Sequence, residues 1–248
     1  MALDRIWGRN PIIEALSRRK RAVRKLWIDE GAKPEEKLNR LLSLAAEQGV
    51  TIQRVGRRTL DNMTQGDVHN GVVAEAEPLP DYSIKTLFSV LNGRSNTPFI
   101  LLADELSYEQ NLGAILRSSL GAGVDAVVVP VRRSVAASPV VGRVSMGGIE
   151  EVPLVREGIS AALAACQREG LRIIGADMDG RPYWDVDLTG PVALVLGGES
   201  KGLSPTLRKR CDELVSVPLA GGLESLNVSV TAGILLFERV RQMAKELK

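Results

Sequence analysis

The polar residues best placed to do chemistry lie in three short stretches. These are Asn111 and Arg117 in NLGAILRSSLGAG (111–123), Glu199 in LGGESKGLS (196–204), and Ser225 with Asn227 in GGLESLNVSV (221–230). Each stretch breaks a local rule. Arg117 is the only charge on a predicted helix whose Leu112, Ile115, Leu116 and Leu120 make one apolar stripe, and Gly113 and Gly121 stand one turn before and after it. A helical glycine costs about 1 kcal/mol relative to alanine. Bare backbone on both sides of an arginine therefore implies either close helix packing or room for a phosphate or ribose. Asn111, at the predicted helix start, is a cap that could also meet a ligand. The glycines of 196–204 follow an apolar strand and let backbone approach a ligand closely; Glu199 is the one acid among them. The stretch has neither P-loop nor GxGxxG spacing. Ser225 is read as the cap of the last helix, where free N–H groups and the helix dipole favour an anion. A cap accounts for one polar residue, so Asn227 in the first turn is assigned to a ligand.

Several chemistries are excluded. His69 is the only histidine, which removes His-based metal sites and argues against a Ser-His-Asp triad. Cys166 and Cys211 fit no CxxC pattern and read as reduced thiols. No apolar run approaches the ~20 residues of a membrane span, and the opening MALDRIWGRNP lacks the apolar core of a signal peptide. A cytoplasmic protein is expected. Residues 1–80 carry 14 Lys/Arg against 11 Asp/Glu, much of the excess in SRRKRAVRK (17–25). That run is either a solvated helix end or a phosphate-facing patch made of Arg18, Arg19, Lys20 and Arg21.

The elements that must position these residues form two groups. Residues 1–77 read as a small α/β unit: helix 9–20 capped by Asn10 with Pro11 in its first turn, strand 23–28, helix 34–49, strands 50–55 and 71–77. Residues 78–97 read as a linker with a short helix at 83–91. From 98 to 248, strands at 98–104, 124–130, 171–177, 191–197 and 214–219 alternate with helices at 111–123, 158–169, 204–211 and 225–248. That alternation predicts a mostly parallel sheet covered on both faces. Ligands of such sheets collect outside the carboxyl ends of the strands, where all three polar stretches fall.

Taken together, NLGAILRSSLGAGVDAVVV, VALVLGGESKGLS and VSVPLAGGLESLNVSVTAGILLFE resemble, in order and spacing, the three motifs of the SpoU/TrmH family of RNA ribose 2′-O-methyltransferases, within the SPOUT superfamily. Residues 5–77, ending GDVHNGVVAEA, resemble that family's N-terminal substrate-binding domain, a ribosomal-protein-like RNA-binding fold. The resemblance implies a SPOUT-type parallel sheet with a C-terminal deep trefoil knot, S-adenosylmethionine as cofactor and no metal. It implies backbone contacts to the cofactor at Gly197, Val217, Leu219 and Leu226, with Leu196, Gly198 and Ser225 completing that set. It implies a homodimer with sites built from both chains, and RNA as partner. It is closest to members that methylate a guanosine ribose in large-subunit ribosomal RNA. The alternatives are a transfer RNA ribose, a ribosomal adenosine ribose, or a non-catalytic assembly factor. Arg117 is assigned to the developing alkoxide or a phosphate, because a guanidinium has five donors and no acceptor, although relatives' mechanisms cast the matching arginine as base. Asn111, Glu199, Ser225 and Asn227 would orient substrate, arginine and cofactor, and Arg132 and Arg133 would join the basic run on RNA. Two departures stand out: Tyr108-Glu109-Gln110 where many relatives have Asp-Pro-His, and Ser200 where close relatives have glycine.

Overall fold

The computed structural model describes residues 3–91, 97–132, 134–199 and 201–246. In chain order its elements are β1 (Asp4–Trp7), α1 (Arg9–Arg18), β2 (Val23–Asp29), α2 (Glu36–Glu47), β3 (Thr51–Val55), α3 (Arg57–Met63), β4 (Val72–Ala76), α4 (Ile84–Leu91), β5 (Phe99–Ala103) and α5 (Glu109–Ala122). There follow β6 (Ala126–Val129), α6 (Pro139–Ser145), α7 (Gly148–Glu151), β7 (Leu154–Arg156), α8 (Ile159–Arg168), β8 (Arg172–Pro182), β9 (Val192–Leu196), α9 (Pro205–Arg208), β10 (Glu213–Ser216) and α10 (Val228–Glu246). The chain forms two compact units, Met1–Pro80 with Ala137–Glu151 and Asp81–Ala136 with Val152–Lys248. The division expected at residues 77 and 98 thus misses a segment. The 137–151 stretch carries no periodic signal, yet it folds with the first unit.

The first unit has a four-stranded sheet in the order β1-β4-β2-β3, antiparallel except for β2 with β3. Alternation along β2 sorts its side chains. Leu26 and Ile28 join Ile12 and Leu16 of α1 and Leu38 and Leu41 of α2 in one core. Trp27 faces the other way, onto Leu60 of α3 and Val73 of β4. Helix α1 is capped by Gly8, at φ 93°, and Asn10 lies inside its first turn. The chain leaves β1 through a left-handed turn that glycine takes without strain, so the expected asparagine cap is displaced by two residues. Ser138 caps α6, accepting from Val141 N at 3.2 Å with Pro139 behind it.

The second unit is a six-stranded, all-parallel sheet in the order β10-β8-β9-β5-β6-β7. Strands β5 and β9 are buried along their whole length. Ile100 and Leu102 of β5 pack with α4 and α8. On the alternate side the Arg239 guanidinium of α10 lies 4.4 Å over the Phe99 ring. From β5 the chain runs outward to β6 and β7, then crosses to place β8, β9 and β10 on the other side. The order therefore reverses between β5 and β9, and the crevice outside their carboxyl ends is where an open α/β sheet takes its ligand.

Candidate active site

Two loops meet over that crevice. After β5, helix α5 opens at Glu109 with Tyr108 in the cap position, and Tyr108 O accepts from Asn111 N at 3.1 Å. Asn111 is thus a first-turn residue and not the expected cap, which leaves its amide free. It uses both ends. Asn111 Nδ2 donates to Glu199 Oε1 at 2.6 Å, and Asn111 Oδ1 accepts from Asn227 Nδ2 at 3.0 Å. Asn227 Oδ1 in turn accepts from Ser229 N at 2.9 Å and Ser229 Oγ at 2.6 Å. The directions are forced. The last helix takes the Asn227 oxygen, so its NH2 must find an acceptor; Asn111 supplies one and is left with a donor for the carboxylate. The network joins the loops after β5 and β9 to the start of α10.

The cap role expected of Ser225 falls to Asn227. Helix α10 starts at Val228, and Asn227 O accepts from Val230 N and Thr231 N. Asn227 is therefore the cap. Ser225 lies in the extended segment before it, exposed, with no hydrogen bond among the described residues. The dipole argument made for Ser225 belongs to Asn227. Replacing Asn227 by Ala should cost about 1 kcal/mol of stability, a fall in Tm of roughly 2–4 °C. Asn227→Asp keeps the cap acceptor but loses the donor to Asn111, so its melting curve should stay close to wild type. Equal melting losses for both variants would mean that the Asn111 contact, and not the cap, holds this helix end.

Glu199 is presented by a closed loop. Gly198 N donates to Gly202 O at 3.1 Å, and Gly202 N donates back to Gly198 O at 2.9 Å. A Cβ on Gly197 would stand 2.0 Å from Gly202 C, so the loop closes only over a bare residue. Any substitution of Gly197 therefore opens the loop whether or not a cofactor touches it. Leu196 is a core residue whose carbonyl already accepts from Asp104 N at 3.0 Å. Of the expected cofactor set, Leu196 and Gly198 thus have their polar groups engaged within the protein. Val217, Leu219 and Leu226 are half-buried, and no backbone N–H from 217 to 227 meets a protein acceptor among the described residues. That segment, turning at Gly221 (φ 78°) and Gly222 (φ 73°), offers apolar side chains beside open backbone donors and acceptors. Such a lining suits the edge and faces of an adenine. The donor set of this chain therefore fits S-adenosylmethionine.

Arg117 stands apart from the network. It is exposed and has no polar partner among the described residues. Six residues along α5 from Asn111, it lies roughly 9 Å up the axis and about 120° around it. Gly121 lies where α5 approaches α10: a Cβ there would meet Phe237 Cζ at 3.2 Å. Sequence reasoning passed over Glu105, which follows β5 at φ 43°, a strained value for a residue with a side chain. It faces Gly198, whose Cβ would lie 3.1 Å from Glu105 Cβ. Positive φ in a non-glycine residue leaves no mark in sequence.

Burial pushes the thiol of Cys166 up to about 12 and that of Cys211 up to about 11, so neither supplies a thiolate near neutrality. His69 is buried in the first unit, its Nδ1 accepting from Gly71 N and its Nε2 donating to Asp61, and it plays a structural part.

Each cation of the 18–21 run has a carboxylate partner. Arg18 pairs with Glu14 (3.2 Å) and Glu151 (3.7 Å), Arg19 with Glu47 (3.9 Å) and Lys20 with Glu151 (3.4 Å). Arg21 is buried. It donates to both oxygens of buried Glu150, at 2.5 and 3.0 Å, and to Asp4 at 3.1 Å. Arg21 has no face left for a phosphate, which corrects its assignment to RNA. Arg132 is exposed. Arg133 and Ser200 lie outside the described residues.

Comparison with known proteins matches residues 98–237 to the SpoU rRNA Methylase family and residues 5–82 to the domain described as RNA 2′-O ribose methyltransferase substrate binding. The chain is 38% identical over 242 residues, 97% of each chain, to the 23S rRNA (guanosine-2′-O-)-methyltransferase RlmB of Pseudomonas putida. It is 35% identical to the putative TrmH family tRNA/rRNA methyltransferase YacO of Bacillus subtilis, across 96% of each chain. Among solved structures it is similar to the SpoU methyltransferase AviRb from Streptomyces viridochromogenes in complex with AdoMet, with TM-score 0.78 and 26% identity over 98% of this chain and 91% of that one. The network between β5 and β9 lies inside the matched region, and the chain belongs to the SpoU rRNA methylase family.

Proposed function

We propose that the protein transfers a methyl group from S-adenosylmethionine to the ribose 2′-OH of a guanosine in large-subunit ribosomal RNA. The observation that carries this reading is the Glu199–Asn111–Asn227 network across the crevice, beside the open backbone of residues 217–227. S-Adenosylmethionine supplies an electrophilic methyl on a sulfonium. What remains for the protein is alignment and stabilisation of the nucleophilic oxygen. Gly197, Val217, Leu219 and Leu226 would hold adenine and ribose through backbone groups. Asn111 and Glu199, their positions set by Asn227, would orient the substrate ribose. Arg117 would stabilise the developing alkoxide or a neighbouring phosphate.

The reading includes a homodimer. Val230, Phe237 and Val240, at 49%, 49% and 37% exposure, form a half-exposed apolar stripe on α10 at helical spacing. A partner's Arg117 brought to this crevice would complete what one chain leaves apart. Family membership supports the C-terminal trefoil knot. Among the described residues no helix is long and apolar enough to cross a membrane, and ribosomal RNA as substrate supports a cytoplasmic location.

The test is transfer of labelled methyl from S-adenosylmethionine to large-subunit RNA taken from cells lacking this gene. Label should appear in one alkali-resistant dinucleotide that begins with a 2′-O-methylguanosine. Label in transfer RNA or on an adenosine would move the substrate assignment. No label in any RNA would mark a non-catalytic assembly factor, the reading for which the altered Tyr108-Glu109-Gln110 segment speaks.

A further inference from the structure

The first unit holds a polar groove with no part in the site described so far. Its volume, about 770 Å3, is within the range of pockets for ligands of nucleotide size. The walls come from the turn at Gly8–Pro11 that opens α1, the segment after β2 around Lys33, and the loop before β4 that ends at Gly71. That last loop is held in place. His69 ties it to Asp61 and to Gly71 N, and Asn70 and Gly71 both take left-handed backbone, at φ 50° and 77°. A wall fixed before binding lowers the ordering cost of a ligand.

The charges in the groove differ in kind from those of the 18–21 run. There every cation has a carboxylate within 4 Å. Here Arg9 is paired with Glu35, but Lys33, Lys37, Arg57 and Arg143 have no ion pair or hydrogen bond among the described residues. Lys33 and Lys37 share one stretch while Arg57 and Arg143 come from two others, a spread that suits successive phosphates better than a single anion. Three of the lining acids are already engaged: Glu35 by Arg9, Asp61 by His69, and Asp29 by Gly31 N at 3.0 Å. Asp67 and the Asn70 amide remain to offer acceptors and a donor. A site that mixes free cations with free polar groups fits a nucleotide, base and phosphate together, and not a bare polyanion track. Unpaired bases of RNA loops are recognised in this way.

We propose that this groove takes an unpaired nucleotide of the RNA substrate. Its flanking phosphates lie on Lys33, Lys37, Arg57 and Arg143, and its base edge lies against Asn70 and Asp67. The inference rests on the reading of the protein as an RNA methyltransferase and gives the first unit's RNA contact a location on cations that no carboxylate engages among the described residues.

The test uses the full chain without cofactor and a fluorescein-labelled RNA hairpin with a guanosine-containing loop, read by anisotropy over a salt series. In the triple variant Lys33→Ala, Lys37→Ala, Arg57→Ala, affinity should fall about 10–100-fold, and the slope of log K against log salt should shrink by about 2, the share of three phosphate contacts to single-stranded RNA. KM for RNA should rise with kcat little changed. The pair Arg19→Ala, Lys20→Ala should alter neither affinity nor slope. A triple variant that melts like wild type and keeps the wild-type slope would overturn the groove assignment, as would an equal loss on replacing Arg19 and Lys20. If the wild-type protein neither binds nor methylates any RNA, the functional reading itself fails and the groove proposal falls with it. Competition by free guanosine monophosphate at concentrations that leave a phosphate-only control ineffective would confirm that a base is read as well as an anion; equal competition by inorganic phosphate would reject the base contact.

Discussion

Replacing Arg117 by alanine is expected to leave the protein folded and able to bind S-adenosylmethionine while single-turnover methylation slows by about 10²–10³, the usual cost of losing one transition-state donor. The folded state has little to lose, because Arg117 is exposed and has no polar partner among the described residues. Surface substitutions of that kind usually stay within about 0.5 kcal/mol. Arg117→Lys should recover little, since a compact ammonium cannot reproduce the planar fork. The roughly 9 Å and 120° that separate Arg117 from Asn111 on α5 add a sharper test. Mixed dimers of Arg117→Ala with Glu199→Gln have one intact site if Arg117 serves the partner's crevice, and none if it serves its own. Recovery of activity on mixing two inactive variants would place the arginine across the dimer. Near-normal single-turnover methylation by Arg117→Ala alone would remove it from the mechanism.

How legible the site was depends on what each residue answers to. Strands β5, β6 and β9 were plain in the sequence because both their faces are buried and they read as continuous apolar runs. The short elements β1, α3, α6, α7 and β7 were not. Helix α3 buries only Leu60, and such a segment has no stripe to detect. Strand β8 runs on to Pro182 through the polar MDGRP because it pairs with β10 across a register shift between Leu214 and Val215. A Cβ at Gly180 would lie 2.6 Å from the backbone of both residues, so tertiary proximity, and not local preference, keeps that stretch extended. The three polar clusters were visible as breaks in local rules, but their division of labour was not. Serine and asparagine cap helices about equally well, so nothing in Ser-Leu-Asn says which of them the helix uses. That depends on where the chain turns helical, which is Val228. Arg21 was misplaced for a similar reason. A sequence displays charges but not their partners, and the partner of Arg21 stands 129 residues away.

That partner sets the second large effect. Arg21→Ala is expected to destabilise the protein by about 3–5 kcal/mol, because it strands the Glu150 carboxylate in the interior without its counter-charge. Both side chains are almost fully buried, 5% and 4% exposed, and the contact is a two-pronged one. Asp4, at 49% exposure, can turn to water and should add little. The neighbouring substitutions Arg19→Ala and Lys20→Ala remove only solvent-exposed pairs, each worth less than about 1 kcal/mol. A single stretch of basic residues should therefore split into one position that governs melting and others that barely move it. Replacing both members of the pair, as Arg21→Met with Glu150→Leu, should recover most of the loss, since an apolar pair of similar volume has no desolvation penalty to offset. Thermal melting followed with urea unfolding measures all four proteins, and RNA binding read well below the transition separates folding from recognition. If Arg21→Ala melts like wild type yet binds RNA many-fold more weakly, the arginine is a phosphate ligand after all and its pairing with Glu150 has no structural weight.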